Sequence, residues 1–416
     1  MKTLLKDISS LVTIASKGKK RLCGYEMNKI SEIKNASMLF DEKILWIGNT
    51  SEIDKIILIE KPDQIIELKN KTVIPGFVDS HTHIVFAGNR SDEFAKRLRG
   101  ATYEEIAAEG GGIQTTVKAT RNASIEELVQ NASQIAKNAL AHGTTTMEVK
   151  SGYGLTTESE IKQLKAIKKL AETLPIRIIP TFLGAHDFPA EYKNNKEKYI
   201  DIICNEMIPL VAEEKLAVYV DAFVDRGYYT LEQAEKIFTA ANKYGLKIRV
   251  HSDELANVEA ASLAAKFNAV SADHLLFVSD NGIEELKKAG TIATLLPGTA
   301  YFIRMPYAQA RKLIDNGLAI ALATDCNPGS CYTENMQIIL SLAVINMKMT
   351  AEEALTAATL NGAASVELSD ICGSLEVGKQ ADFSILNINS YADLFYHFGI
   401  NHVDEVWIAG RKVHKN

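Results

Sequence analysis

Eight short apolar segments, most of them followed by amphipathic stretches of helical periodicity, occupy the chain from about residue 76 to about residue 365. The segments are PGFVDSHTH, TTTMEVKSG, IRIIPTFLGAH, AVYVDAFVD, LKIRVHSDE, AVSADHLLF, TIATLLPGT and AIALATDCN. Between them lie stretches such as IEELVQNASQIAKNALAHG, whose apolar residues recur with helical spacing. Eight alternating units of this kind predict an α/β fold, a TIM-type (β/α)8 barrel. A doubly wound open sheet is the alternative, because periodicity does not show whether the sheet closes.

Both ends of the chain consist instead of short strands and turns. ASMLFDEKILWIGN has two apolar runs around a charged turn and predicts a β-hairpin. GSLEVGKQADFSIL and VDEVWIAGRKV have the same character near the other end. The simplest packing is one small β-sandwich domain formed by both chain termini. We therefore expect residues 1–75 and 366–416 to form this composite domain and residues 76–365 to form the barrel.

Charge and cysteine content exclude several classes of protein. With 46 Lys and Arg against 52 Asp and Glu, the net charge of −6 argues against nucleic-acid binding. No apolar run approaches the roughly 18 residues that a membrane span needs, so no membrane contact is expected. The five cysteines are scattered without CxxC spacing, so we expect reduced thiols and a cytoplasmic location.

Histidine is scarce in this chain, yet five of its nine histidines fall at the ends of predicted strands. His81 and His83 follow the first strand at a spacing that places both imidazoles on one side of extended backbone. Three more histidines and an aspartate end later strands: His186, His251, His274 and Asp325. The carboxyl ends of barrel strands meet at one face, where the catalytic residues of such barrels lie.

Three imidazoles and a carboxylate, with room for a water molecule, describe a hydrolytic divalent metal site. Such an ion lowers the pKa of its water to about 7 and supplies hydroxide at neutral pH. Any one of these histidines alone is as often a packed core residue as a ligand. The inference of a metal site rests on the occurrence of these residues together at one barrel mouth. We expect one divalent metal ion, zinc or iron, because both accept these ligands.

The positions of these residues resemble the amidohydrolase superfamily, which has HxH after the first strand, histidines on the fifth and sixth, and aspartate on the eighth. The resemblance implies that His81, His83, His251 and Asp325 bind the metal. No lysine ends the fourth strand, AVYVDAFVD, so a mononuclear site is expected instead of one bridged by carbamylated lysine.

Further segments narrow the resemblance to the superfamily members that hydrolyse the ring amide of 4-imidazolone-5-propanoate to N-formimidoyl-L-glutamate, the third step of histidine degradation. These segments are FAGNR, GGGI, EVKSGYG, GAH, HSDE, ADH, LPGT and TDCNPGS, and they are spread over nearly the whole chain. The implied partner is a small anionic substrate, a planar ring with a carboxylate tail.

That resemblance implies roles for the polar residues around the metal. The guanidinium of Arg90 would bind the carboxylate tail. Tyr153 would hydrogen-bond the substrate and cover its ring. Further polar contacts would come from Asn327, Gly329 and Ser330.

The proton-transfer residues stay open at this point. His186 would either hydrogen-bond the ring carbonyl as it becomes an oxyanion or act as an extra metal ligand. Glu254 would contact a ring nitrogen and move a proton, and the general base would be His274, Asp325 or Glu254. The loop of Gly110 to Gly112 lacks the ending of a phosphate-binding loop, so it is interpreted as a lid or a plain loop.

Two other functions are compatible with part of the same sequence features. A mononuclear metal-dependent deaminase of a heterocyclic base would share the HxxE spacing of His251 and Glu254, but a nucleobase has no carboxylate for Arg90. A non-catalytic interaction protein on this scaffold would not need a full set of metal ligands. A homodimer is expected only because dimers are the commonest assemblies.

Overall fold

The computed structural model describes residues 1–100 and 111–416. The strands there are β1 (Thr3–Val12), β2 (Glu32–Phe40), β3 (Ile44–Asn49), β4 (Gln64–Glu67), β5 (Thr72–Pro75), β6 (Phe77–Asp79), β7 (Thr144–Lys150), β8 (Arg177–Ala185), β9 (Tyr219–Val224), β10 (Lys247–Ser252), β11 (Ser271–His274), β12 (Ile292–Leu295), β13 (Ile320–Leu322), β14 (Phe383–Leu386), β15 (Val403–Ile408) and β16 (Arg411–Lys415).

The α-helices are α1 (Ile53–Glu60), α2 (Ser91–Leu98), α3 (Ile113–Asn122), α4 (Ile125–Ala141), α5 (Thr157–Thr173), α6 (Lys196–Ile202), α7 (Ile208–Glu213), α8 (Leu231–Lys243), α9 (Ala260–Lys266), α10 (Asp280–Ala289), α11 (Pro297–Ile303), α12 (Ala310–Asp315), α13 (Met336–Met347), α14 (Ala351–Ala358), α15 (Leu360–Ala364) and α16 (Asp393–Tyr396). None of these described helices is long and apolar enough to cross a membrane.

The barrel sheet contains eight parallel strands, β6 to β13, which pair in sequential order. At least one helix separates each strand from the next. Each of the eight segments that the sequence assigns to strands contains one of them. The TIM-type prediction is therefore confirmed, and the doubly wound alternative fails because such a sheet has a non-sequential strand order.

The barrel closes just beyond the ends of its first and last strands. In the described ranges, β6 and β13 share no strand ladder, but Thr82 and Cys326 form a parallel bridge. The amide of Asp325 donates to the carbonyl of His81 at 3.0 Å. The segments that carry the first and last expected metal ligands are thus joined directly by backbone hydrogen bonds.

Asp79, at the end of β6, strengthens the seam between the first and last barrel strands. Its fully buried carboxylate accepts hydrogen bonds from the amide of Thr324 at 2.9 Å and from the hydroxyl of Thr324 at 2.6 Å. Burial raises the pKa of Asp79 to about 7, although the hydrogen bonds from Thr324 favour its charged form.

Strands from both ends of the chain form a second, mixed sheet in the order β16-β15-β14-β5-β1-β2-β3, with β4 parallel to β1. The predicted hairpin is the antiparallel pair of β2 and β3. The core of this sheet includes Phe40, Phe383 and Trp407, whose ring centroids lie 5.1 to 5.6 Å apart. Gly76 connects the two sheets where a Cβ would approach the side chain of Thr145 to 2.2 Å. The division into domains at residues 75 and 365 stays a prediction.

Candidate active site

The residues expected at the barrel mouth do converge there. His81 and His83 follow β6, His251 lies in β10, His274 ends β11 and Asp325 follows β13. All five are buried, with at most 3% of their surface exposed. The (β/α)8 topology brings them together, because the carboxyl ends of parallel strands share one face of the barrel.

Four side-chain atoms form a compact cluster with the spacing of metal ligands. His83 Nε2 lies 3.2 Å from His81 Nε2 and 3.4 Å from His251 Nε2. Asp325 Oδ1 lies 3.4 Å from His83 Nε2 and 3.5 Å from His81 Nε2. In a tetrahedral zinc site with bonds of about 2.0–2.1 Å, neighbouring ligand atoms are about 3.3 Å apart. The residues therefore fit one small cation.

The histidines of this cluster are suited to donate lone pairs. Burial lowers the pKa values of His81 and His83 well below the ordinary histidine value, and neighbouring positive groups lower them further. A neutral imidazole is the form that binds a metal.

Carboxylates on neighbouring strands orient two of these rings. Asp273 Oδ2 lies 2.7 Å from His81 Nδ1, and Asp221 Oδ1 lies 3.0 Å from His251 Nδ1. With Nδ1 occupied in this way, Nε2 of each ring is left for a metal. The sequence analysis did not single out either aspartate.

Two buried cations lie behind these carboxylates. Lys150 Nζ is 2.9 Å from Glu148 Oε1 and 2.9 Å from Asp221 Oδ2. Arg249 Nη2 is 3.2 Å from Asp273 Oδ2. None of these five side chains is exposed to solvent. Sequence reasoning missed the cations as well.

The formal charges of this buried region do not cancel within the protein. Its carboxylates are those of Glu148, Asp221, Asp273 and Asp325, and its cations are those of Lys150 and Arg249. These carboxylates outnumber the cations, and the buried Asp79 adds a further carboxyl group near Glu148. A bound cation would reduce this excess, which agrees with the ligand spacing.

Glu254 and His274 form a second acid–base pair beside the cluster. His274 Nε2 lies 3.5 Å from Glu254 Oε2. Burial raises the pKa of Glu254 well above its ordinary value and lowers the pKa of His274 to about 3, so burial favours the neutral form of both groups. Asp225 fixes the loop by accepting from the amides of Glu254 and Leu255 at 2.7 and 2.8 Å.

His186 and Tyr153 belong to the opposite wall. His186 Nδ1 lies 3.0 Å from the carbonyl of Gly152, and its ring stacks on His83 with centroids 5.1 Å apart. The buried carboxylate of Glu160 accepts hydrogen bonds from three backbone amides of the loop carrying Tyr153, at 2.7 to 3.0 Å. Among the described residues, the clusters with metal-ligand spacing include His274 but not His186.

Arg90 lines another side of the same cavity. Its Nε donates to Glu93 Oε2 at 2.9 Å, and among residues 1–100 and 111–416 its two terminal nitrogens have no hydrogen-bond partner. A Cβ on Gly329 would lie 2.3 Å from Arg90 Nη1, so the absence of a side chain at Gly329 lets the guanidinium approach. Arg97 Nη2 donates to the carbonyl of Gly329 at 3.0 Å.

Asn327 organises the loop that follows Asp325. Its Oδ1 accepts from the amides of Gly329 and Ser330 at 2.8 Å each, and its Nδ2 donates to the carbonyl of Asp325 at 2.7 Å. The Asn327 side chain therefore acts on the loop backbone as well as lining the pocket.

The predicted residues surround one cavity of about 410 Å³, apart from His81, which lies behind it. The lining also includes residues that the sequence analysis did not single out: Glu93, Arg97, Ile113, Phe223, Tyr228, Leu255, Ile303 and Met305. Positions 93 and 97 follow Arg90 at helical spacing, a signal that the sequence did contain. Gly110, part of the suggested lid, lies outside the described residues, so the lid stays a prediction.

The chain matches known proteins over nearly its whole length. A sequence model of the amidohydrolase family matches residues 72–413. The imidazolonepropionase of Alkaliphilus metalliredigens (strain QYMF) is 46% identical over 413 residues, which cover 99% of this chain and 97% of that protein. The imidazolonepropionase of Thermoanaerobacter pseudethanolicus (strain ATCC 33223 / 39E) is 49% identical over 385 residues, which cover 92% and 91% of the two chains.

Solved structures of other enzymes share the fold at low identity. A zinc-bound adenosine deaminase from Xanthomonas campestris has a TM-score of 0.73 at 18% identity and covers 99% of this chain and 92% of its own. Guanine deaminase of E. coli has a TM-score of 0.71 at 16% identity, with coverage of 100% and 99%. At such identities the likeness shows the fold alone.

Proposed function

The chain belongs to the imidazolonepropionases of the amidohydrolase family, and we propose below how its barrel mouth performs their reaction. It hydrolyses the ring amide of 4-imidazolone-5-propanoate to N-formimidoyl-L-glutamate in histidine degradation. The observation that carries this conclusion is the identity of 46% and 49% to imidazolonepropionases over nearly the full chain. The deaminase alternative rests only on the HxxE spacing of His251 and Glu254, because the deaminase structures share the fold at 16% to 18% identity and carry no argument about function.

The enzyme uses a metal ion, for which His81, His83, His251 and Asp325 would be the ligands. The spacing of 3.2 to 3.5 Å between their donor atoms supports this set. When bound, a divalent ion supplies hydroxide from water near neutral pH and polarises the carbonyl that is attacked. Imidazole and carboxylate ligands suit zinc and iron alike, and metal analysis of the purified protein distinguishes them.

The substrate would enter with its carboxylate tail toward Arg90. The two terminal nitrogens of that guanidinium, which have no partner in the described part of the chain, match the two oxygens of a carboxylate. Tyr153 is a donor there, because burial raises the pKa of its phenol and keeps it protonated. The apolar side chains of Phe223 and Met305 line the same cavity and suit a small planar ring.

Proton transfer would run between His274 and Glu254. His274 Nε2 accepts a proton from the attacking water, and Glu254 gives a proton to the ring nitrogen as its bond to the carbonyl carbon breaks. The 3.5 Å separation of the two groups supports transfer of the first proton onward to Glu254. Since its Nδ1 donates to the carbonyl of Gly152 and burial lowers its pKa, the neutral ring of His186 would present Nε2 as an acceptor, so it would accept a hydrogen bond from substrate or water and would not donate to the developing oxyanion.

The direct test is turnover of freshly generated 4-imidazolone-5-propanoate by the metal-loaded protein. We expect loss of the substrate absorbance and formation of N-formimidoyl-L-glutamate, and no ammonia release from adenine, guanine or cytosine. A metal-loaded protein that leaves the substrate intact would contradict the function. Ammonia release from a nucleobase would establish the deaminase instead.

We also propose a cytoplasmic location, because all five cysteines, each in the described part of the chain, are free thiols. The homodimer stays a prediction from the frequency of dimers, and light scattering of the purified protein would check it.

A further inference from the structure

Two fully buried cations lie behind the proposed metal ligands, and the reaction described above does not use them. Lys150 ends β7 and Arg249 lies in β10, and neither side chain is exposed. Burying a cationic group costs free energy unless charged partners compensate it. The positions of those partners therefore indicate what these cations do.

The first cation reaches a metal ligand through one carboxylate. Lys150 Nζ lies 2.9 Å from Asp221 Oδ2, and the other oxygen, Asp221 Oδ1, lies 3.0 Å from His251 Nδ1. The same Oδ1 accepts from the amide of His251 at 3.2 Å.

Lys150 also acts on the HxH segment. Its Nζ lies 2.9 Å from Glu148 Oε1, while Glu148 Oε2 accepts from the amide of Thr82 at 3.2 Å. The amide of Lys150 donates to the carbonyl of Thr82 at 3.0 Å. Thr82 lies between His81 and His83, so one buried lysine is connected to three of the four expected ligands.

The second cation repeats the arrangement on another strand. Arg249 Nη2 lies 3.2 Å from Asp273 Oδ2, which is 2.7 Å from His81 Nδ1. The same Nη2 donates to the carbonyl of Ser80 at 2.7 Å, next to His81 in the chain. Both the ring of His81 and the backbone before it are thus tied to Arg249.

We propose that Lys150 and Arg249 are positioning residues of the metal site: each orients a carboxylate that fixes the tautomer and ring orientation of one ligand histidine. Lys150 orients Asp221 for His251, and Arg249 orients Asp273 for His81. This inference rests on the metal site proposed above. If these cations served only to pack the barrel, their loss would lower stability without changing the affinity for metal.

The test measures zinc affinity by competition with a chromophoric chelator, alongside thermal unfolding of the metal-free proteins. Lys150→Met removes the charge and keeps the apolar stem, and we expect affinity to fall about 10–100-fold, the usual effect of losing an outer partner of a ligand histidine. Lys150→Arg should recover part of that loss.

Arg311→Met is the matched control. Arg311 is the cationic partner of another buried carboxylate, Glu353, at 2.9 and 3.0 Å, between α12 and α14 and without contact to any proposed ligand. We expect it to lower the unfolding temperature while zinc affinity stays at the wild-type value.

Wild-type zinc affinity in a folded Lys150→Met protein would overturn the inference, and so would an equal loss of affinity in Arg311→Met. If Lys150→Met does not fold, Asp221→Asn decides, because it breaks the same connection with little change in volume: the expected result is again a 10–100-fold loss, and unchanged affinity overturns the inference. Failure of the wild-type protein to bind zinc or iron would instead contradict the metal site itself.

Discussion

Among single residues, Arg90 is the one whose substitution should most clearly separate substrate binding from catalysis. Its proposed partner is the remote carboxylate of the substrate, which would keep its charge through the reaction. We expect Arg90→Ala to raise KM about 10–100-fold with kcat largely retained, because charge-assisted hydrogen bonds worth about 1.5–3 kcal/mol are lost. Steady-state kinetics checks this, with Arg90→Lys as a partly active control. A collapse of kcat at unchanged KM would contradict the role.

Substitution of Gly329 tests the same proposed contact between Arg90 and the substrate carboxylate. An added methyl group would lie 2.3 Å from Arg90 Nη1, so Gly329→Ala should displace the guanidinium. We expect KM to rise by about tenfold, less than for Arg90→Ala, while metal content stays at the wild-type level. A variant with wild-type KM would show that the guanidinium has another position in which it serves equally well.

His251 tests the ligand set. We expect His251→Ala to lose bound metal and activity together, because its Nε2 lies 3.4 Å from His83 Nε2 within the cluster. Elemental analysis and turnover are measured on the same sample. His142→Ala is the control, since His142 directly follows α4, with Nδ1 2.8 Å from the carbonyl of Asn138, and does not line the pocket. Full metal content in His251→Ala would remove this histidine from the ligand set.

Among the helices and strands, periodicity predicted the eight barrel strands because each is short, apolar and separated by helical patterns. The terminal hairpin was equally visible in ASMLFDEKILWIGN. The roles of Lys150 and Asp221 could not be predicted from periodicity. Lys150 follows Val149 in β7 and Asp221 lies between Val220 and Ala222 in β9, so the two charges that pair stand in different strands. Only the barrel brings the two charges together, and a single-strand pattern holds no information about cross-strand partners.

Sequence patterns likewise predicted some residues of the pocket and not others. Strand-end positions indicated His251, His274 and Asp325, since barrel topology assigns strand ends to one face. The positions of Glu93 and Arg97 in the pocket depend on how α2 packs over the mouth, which helical spacing alone leaves undetermined.

The loop after β7 depends on the first turn of α5. Glu160 accepts from three backbone amides of this loop, and an amide side chain would replace one of its two acceptor oxygens with a donor. We expect Glu160→Gln to lower the free energy of unfolding by roughly 1–3 kcal/mol and to reduce kcat/KM through Tyr153 and His186. Denaturant unfolding and kinetics measure both effects. Glu158→Gln, an exposed neighbour on the same helix, should change neither.

For the molecule as a whole, metal removal should be the largest single change. It leaves the buried excess of negative charge uncompensated and removes the ligand that binds only the folded state. With free metal at about a thousand times its Kd, binding stabilises the fold by about 4 kcal/mol, so chelation should lower Tm by several degrees. Calorimetry with and without chelator measures the shift, and added zinc or iron should reverse it. An unchanged Tm would contradict a tightly held ion.

The net charge of −6 gives no long-range attraction for an anionic substrate. The attraction must arise within the cavity, where Arg90 and Arg97 line one side and the proposed cation lies at the base. Recognition of the carboxylate is thus a local property that overall charge does not reveal.

The seam between the first and last barrel strands also orders events during biosynthesis. His81 and His83 leave the ribosome early. Cys326, which forms a bridge with Thr82 between them, emerges much later. Pairing such remote segments requires closing a long loop, so it comes late in folding. A nascent chain without residues 324–326 lacks both the closing bridge and the last ligand. Metal loading would therefore report that the last barrel strand has docked, and a nascent chain that stops before residue 324 should remain metal-poor.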